Sequence, residues 1–308
     1  MPGGITANEL SLQLSGQFTN RSELQVQHNL IVQAASGIDN QGAAIRAGGR
    51  LMIEGASLDN SQGLIESGAL GHVRTTGGGI TATQGQFHSS AGAMVLDAAG
   101  DIRLAGGAVK GAQGAALMAG GDIELGVVRS VTNTLTLTDR DGTQTRELAP
   151  DDEGPGIQYG QQLQREHRVS HEGVVIDAGA GPLSLVAMGE RHALGAELET
   201  DGHALLAGRN VTIEAAKDSQ LEQNAEWRKG HDHYDHSYSE TLVGGTLSAG
   251  QGVSVIANGN ADIFKIFLYI TGEDESNEPT GAALSDCFYD ELLGELEAYS
   301  PATEDEER

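Results

Sequence analysis

The chain has 308 residues, of which 44 are glycine and only 4% aromatic, with 18 basic side chains against 44 acidic ones and a formal net charge of −26. That field repels nucleic-acid phosphates and anionic lipid, so neither is expected as a partner. A single cysteine, Cys287, excludes an intrachain disulfide and a cysteine-based zinc site.

In chain order, Met1-Pro2-Gly3-Gly4-Ile5-Thr6 lacks the basic and apolar blocks of a signal peptide, so any export signal is expected outside this sequence. No apolar run approaches the ~18 residues of a membrane helix, and Lys265 interrupts the longest candidate, Ile263 to Ile270. A repeat then sets the pattern. Asn20, Asn40 and Asn60 recur every 20 residues in like contexts, and Ile45-Arg46-Ala47-Gly48 answers Ile65-Glu66-Ser67-Gly68 at the same interval. A glycine turn followed by an alternating strand reads Ala47-Gly48-Gly49-Arg50-Leu51-Met52-Ile53. It returns as Ala119-Gly120-Gly121-Asp122-Ile123-Glu124-Leu125, as Ala207-Gly208-Arg209-Asn210-Val211-Thr212-Ile213, and as Ala249-Gly250-Gln251-Gly252-Val253-Ser254-Val255.

Short strands with period-two alternation and glycine every few residues leave no window for a helix. A 20-residue period with such strands predicts an all-β right-handed parallel β-helix, each coil stacked ~4.8 Å above the last. About nine or ten coils give a rod on the order of 45 Å. Glycine at fixed corners is expected to supply the φ > 0 turns. Asn20, Asn40 and Asn60, stacked at one corner, are expected to form a structural amide ladder that satisfies buried turn backbone. The repeat spans 1–263, with two protruding hairpin arms at about 127–170 and 220–242. In the first arm, Leu135-Thr136-Leu137-Thr138 and Thr143-Gln144-Thr145 flank Asp141-Gly142, a strong hairpin signal.

Residues 264–308 are a different kind of sequence, a non-repeat tail with two basic and thirteen acidic side chains. Phe264 to Ile270 predicts a strand, and Leu284, Phe288, Leu292 and Leu296 predict an amphipathic helix within 282–299. Two readings stand: a cap over the open end of the β-helix, or the start of a small acidic protein joined to the stalk by gene rearrangement.

Two sets of residues in the second arm can carry chemistry. His231, His233, His236 and Asp235 are candidate ligands for a divalent metal. Read otherwise, they are a hydrophilic insertion, or a group whose charge follows pH. Trp227, Tyr234 and Tyr238 are candidate adhesive anchors, because exposed aromatics concentrate interface energy, or else they pack the arm on its own rod. No catalytic residue and no cofactor is expected: Glu54, Asp101, Asp122 and Glu214 occur singly on separate coils, and neither Gly-x-x-x-x-Gly-Lys-Ser/Thr nor Gly-x-Ser-x-Gly occurs.

Leu58-Asp59-Asn60-Ser61-Gln62-Gly63-Leu64-Ile65-Glu66-Ser67-Gly68 and Ala119-Gly120-Gly121-Asp122-Ile123-Glu124-Leu125 resemble the repeats of filamentous-haemagglutinin adhesins. The stretch from Leu206 to Ser219 is similar to the haemagglutinin repeats of two-partner-secreted exoproteins, which include the stalks of contact-dependent growth-inhibition toxins. The resemblance covers about residues 5–263. It implies exposure on, or secretion from, a Gram-negative cell, an outer-membrane transporter for the full-length parent, and a receptor on a host or neighbouring cell. The function expected is a virulence-associated adhesive stalk acting as a monomeric rod. A toxin-delivery stalk and a non-exported orphan fragment are the alternatives, since the transport domain of the family is missing and the rod is short.

Overall fold

The computed structural model describes residues 5–264 and 267–270, apart from 153, 155, 156, 229 and 230. Every regular element among them is a strand. Three parallel sheets form the faces of a right-handed β-helix, with ten strands on the first face and nine on each of the others. A coil visits the faces in turn, as Ala44–Ala47, Leu51–Gly55 and Leu58–Asp59. The next coil lies on it in register, Ile45 against Ile65 and Ile53 against Val73.

Alternation explains why these short strands stack. In Leu51–Gly55 the side chains of Leu51 and Ile53 are buried and those of Met52 and Glu54 partly exposed, so each strand gives two or three residues to a narrow interior. Stacked in register, they make continuous apolar columns. The first face contributes Leu24, Ile45, Ile65, Phe87, Val109 and Ile176, and the second Val32, Ile53, Val73, Leu96 and Leu117, none more than 3% exposed. Each buried aliphatic side chain contributes about 1.5–3 kcal/mol. Volumes compensate between coils. Gly71 stands where its neighbour below has Leu51, and a Cβ there would lie 2.6 Å from the Cε of Met94, whose long side chain fills the space.

The third face holds one departure. Its column runs Ile38, Leu58, Ile80, Ile102, Ile123 and then Arg191 before returning to Val211. Arg191 is 1% exposed. Its Nη2 donates to the carbonyls of Leu185 and Ala207, while Nε and Nη1 have no partner. Burial alone pulls its pKa down to about 10.

At the corner after the third-face strands, the three asparagines form a ladder. Asn20 Nδ2 donates to Asn40 Oδ1 at 2.8 Å, and Asn40 in turn donates to Asn60. Each amide also reaches a strand carbonyl of the next coil: Ala44 from Asn20, Leu64 from Asn40 and Gln86 from Asn60. Outside, charges alternate from coil to coil. Arg46 lies 3.1 Å from Glu66, Arg74 3.5 Å from Asp97, and Arg103 3.4 Å from Glu124. These exposed pairs add little stability each, but stacking like charges at this spacing would cost.

The corner glycines divide into two kinds, only one of which serves the turn handedness expected. Gly48 and Gly68 are not in the left-handed region; a Cβ on Gly68 would run into the carbonyl of Gly48 one coil below. Close stacking of backbone, not turn handedness, selects glycine there. Positive φ is found at other glycines, at the corner after the third-face strands (Gly42, φ 63°; Gly106, φ 62°; Gly195, φ 63°) and where the second insertion rejoins the rod (Gly244, φ 63°). The stack also runs past residue 263: Phe267–Ile270 pairs in parallel with Thr246–Ala249 as the tenth strand of the first face. The predicted helix within 282–299 and the cap and fusion readings of the tail fall outside the described residues.

Candidate contact surface on the lateral sheet

The two insertions are one structure. The first leaves the rod as Val128–Asp139, turns into Gly142–Glu147 and returns as Gln162–Glu172; the second is the hairpin Ala216–Arg228 and His231–Val243. All five strands join in a single antiparallel sheet, in which Gln162–Glu172 of the first insertion pairs with Ala216–Arg228 of the second. The first turn follows from local chemistry: Asp139 Oδ1 accepts from the N–H of Asp141 at 2.8 Å, and Gly142 takes φ 130°. At the rod end a clasp joins the insertions. Asp218 Oδ1 accepts from the backbone N–H of His171 at 2.7 Å and lies 3.2 Å from its Nδ1.

Cross-strand register sorts the side chains onto two unlike faces. One face carries the rows Leu137, Leu163, Ala225, Tyr234 and Asn133, His167, Leu221, Tyr238. The other carries Thr136, Gln164, Asn224, Asp235 and Thr138, Gln162, Glu226, His233. The polar rows line a shallow depression of about 220 Å³.

The apolar face has its own small core, unexpected from the sequence. Leu135 is fully buried. Beside it, Asn133 Nδ2 donates to the carbonyls of Ala149 and Asp152, both at 2.8 Å, and its Oδ1 accepts from Arg165 Nε at 3.2 Å. The loop after Glu147 is thereby folded over the inner half of this face. The only hint in the sequence is a lone amide within an alternating Thr/Leu strand.

Trp227, Tyr234 and Tyr238 stand on the apolar face and remain 42%, 63% and 60% exposed. Trp227 packs edge-on against Tyr159 of the first insertion, with ring centroids 6.0 Å apart, and Gly160 N–H donates to its carbonyl at 2.7 Å. Its intramolecular contact is thus with the other insertion. Tyr234 leans on His236 at 5.8 Å and its hydroxyl accepts from Gln223 Nε2 at 3.3 Å. Tyr238 donates to Glu240 at 2.7 Å, which raises the phenol pKa, and Lys217, 2.9 Å from the same carboxylate, is raised for the same reason.

The histidines are divided. His233 and Asp235 lie on the polar face, and strand alternation puts His236 on the other. The side chain of His231 lies outside the described residues. Among the described residues no group of three His, Cys, Asp or Glu side chains is placed to hold a metal ion.

The molecule is therefore a β-solenoid bearing a lateral antiparallel sheet, with an aromatic surface on one side and an amide- and hydroxyl-rich surface on the other. No protein-family model, curated protein or solved structure matches the chain.

Proposed function

We propose that the chain is the repeat stalk of a surface-exposed adhesin of haemagglutinin-repeat type, holding the lateral sheet against a receptor on a host or neighbouring cell. One observation carries this reading. Trp227, Tyr234 and Tyr238 protrude from one face of a sheet that stands on a highly charged rod, and monomeric surfaces seldom collect aromatics in that way without a partner. The contact is one of binding and not of catalysis, weak at each sheet and strengthened by many stalks acting together. On this reading the rod is exported through an outer-membrane transporter.

The test uses the full chain on beads against bacterial and epithelial surfaces, compared with the triple variant Trp227→Ala, Tyr234→Ala, Tyr238→Ala. Saturable binding weakened at least tenfold, on the order of 1.4 kcal/mol, is the expected result. Binding unchanged by the triple variant overturns the assignment of these residues. No binding by either chain favours a passive stalk of the toxin-delivery kind. Deleting 220–242 is a poorer experiment, because Gln162–Glu172 would lose its partner on one edge.

A further inference from the structure

We propose that two copies of this chain join edge to edge through the outermost strand of the lateral sheet, His231–Val243, antiparallel about a two-fold axis at Tyr234. Among the described residues this strand ends the sheet order, paired on one edge only with Ala216–Arg228. It is 13 residues long and contains no proline, lysine or arginine; the charges on this edge are the acidic Asp232, Asp235 and Glu240. Every side chain from His233 to Leu242 is exposed. The opposite outer strand, Gly142–Glu147, differs: it has six residues and carries Arg146.

The strand's own residues identify a second copy as the occupant. In an antiparallel pair centred on Tyr234, His233 of each copy opposes Asp235 of the other on the polar face, twice over. Within one copy, the residues across from these two are Glu226 and Asn224, and Arg228 pairs with Glu226. The second copy therefore brings an imidazole to the open side of Asp235. On the aromatic face Tyr234 meets its own copy. Moving the axis to Asp235 sets two carboxylates against each other, and moving it to His233 removes both His233–Asp235 contacts, so only this register makes them. The pairing continues the antiparallel pattern already running through all five strands. It also confines the overlap to the outer half of the strand, away from the rod at Val243. Because opposed residues share a face, the aromatic surfaces of both copies merge on one side. The assembly goes beyond the adhesive reading, and replaces the expected monomeric rod with a two-headed one.

Sedimentation of the full chain over a concentration series tests this, at about 0.15 M salt where the Debye length is near 8 Å and the net charge is screened. The mass is expected to rise toward twice the 32.0 kDa of one chain. His233→Asp and Asp235→His, singly, are expected to weaken association about tenfold, and the double exchange to restore it. In a Cys287→Ser background, Tyr234→Cys is expected to give a disulfide-linked dimer on mild oxidation, since directly opposed residues lie within bridging distance. A single-chain mass at all concentrations overturns the proposal. So does association unmoved by the single exchanges, or cross-linking through Ser237→Cys in place of Tyr234→Cys.

Discussion

Asn40 donates from Nδ2 to Oδ1 of Asn60 across 2.7 Å, and solvent reaches neither side chain. The bond joins two coils through side chains alone, in parallel with the backbone ladders on either side of it. Removing the Asn40 side chain would take the donor from Asn60 Oδ1 and from the Leu64 carbonyl, and leave Asn20 Nδ2 with the Ala44 carbonyl alone.

Asn40→Ala and Asn40→Leu should therefore both destabilise the rod, by about 1–3 kcal/mol for each partner stranded. The leucine variant should not recover the loss, although it restores volume. Urea unfolding followed by circular dichroism reads the shift in midpoint. Hydrogen exchange at Ala44 and Leu64 distinguishes a local opening from a global one.

Arg191 runs the other way. It occupies an aliphatic column between Ile123 and Val211 with two guanidinium nitrogens unpaired. Arg191→Leu should raise stability by about 1–4 kcal/mol, as when buried ionic groups are replaced by apolar ones of similar size. Arg191→Ala should gain less, because it leaves a cavity. The folded-state pKa is depressed to about 10, so the unfolded chain binds the proton more tightly. The wild-type penalty is then fully present at neutral pH and declines only as pH rises above 10. The leucine variant should lack that alkaline gain.

Asp39 gives the rod an acid-sensitive corner. Desolvation is the largest single influence on this carboxyl and raises its pKa. The hydrogen bond from Arg21, the backbone N–H of Gln41 and the Arg21 charge together outweigh it and hold the group below the usual carboxylate range. A depressed carboxylate contributes stability above its unfolded pKa and loses it as pH falls through the folded one. Asp39→Asn should flatten the stability profile below about pH 4 and lower stability at neutral pH by the amount the carboxylate contributes there. Thermal melts from pH 7 down to pH 3 check this.

Leu135→Ala should damage the lateral sheet and spare the rod. Its side chain is, among the described residues, the one fully buried aliphatic group beneath the loop after Glu147, and the truncation should cost about 2–5 kcal/mol locally. Limited proteolysis is expected to cut between 127 and 172 sooner in the variant. Resistance of the repeats on either side should be unchanged.

The rod was legible in the sequence because each coil repeats the same local chemistry. Asn20, Asn40 and Asn60 announced a stacked corner, and alternation in Val211-Thr212-Ile213 placed Val211 and Ile213 inside. The union of the insertions was not legible. The residues that pair Val169 with Ser219 are 50 apart with nearly two coils between them, and no periodicity links segments that occur once each. Arg191 escaped for a related reason: its neighbours Glu190 and His192 are polar, so nothing local marks it as an inward position. Gly48 and Gly68 were read for the wrong reason, while Gly42 and Gly195 do take positive φ, since a turn and a close approach of two backbones leave the same letter in a sequence.

The shared sheet also governs the order in which this chain can be assembled. A plain solenoid adds coils one at a time, each finished before the next begins. Here Gln162–Glu172 keeps one edge unpaired until Ala216–Arg228 has been made and folded back beside it, a closure over a long intervening segment that is slow by its nature. Growth of the rod from Val174 to Ala215 thus proceeds with an open strand at its flank. The late hairpin acts as a latch that closes only when the coils beneath it are already in place.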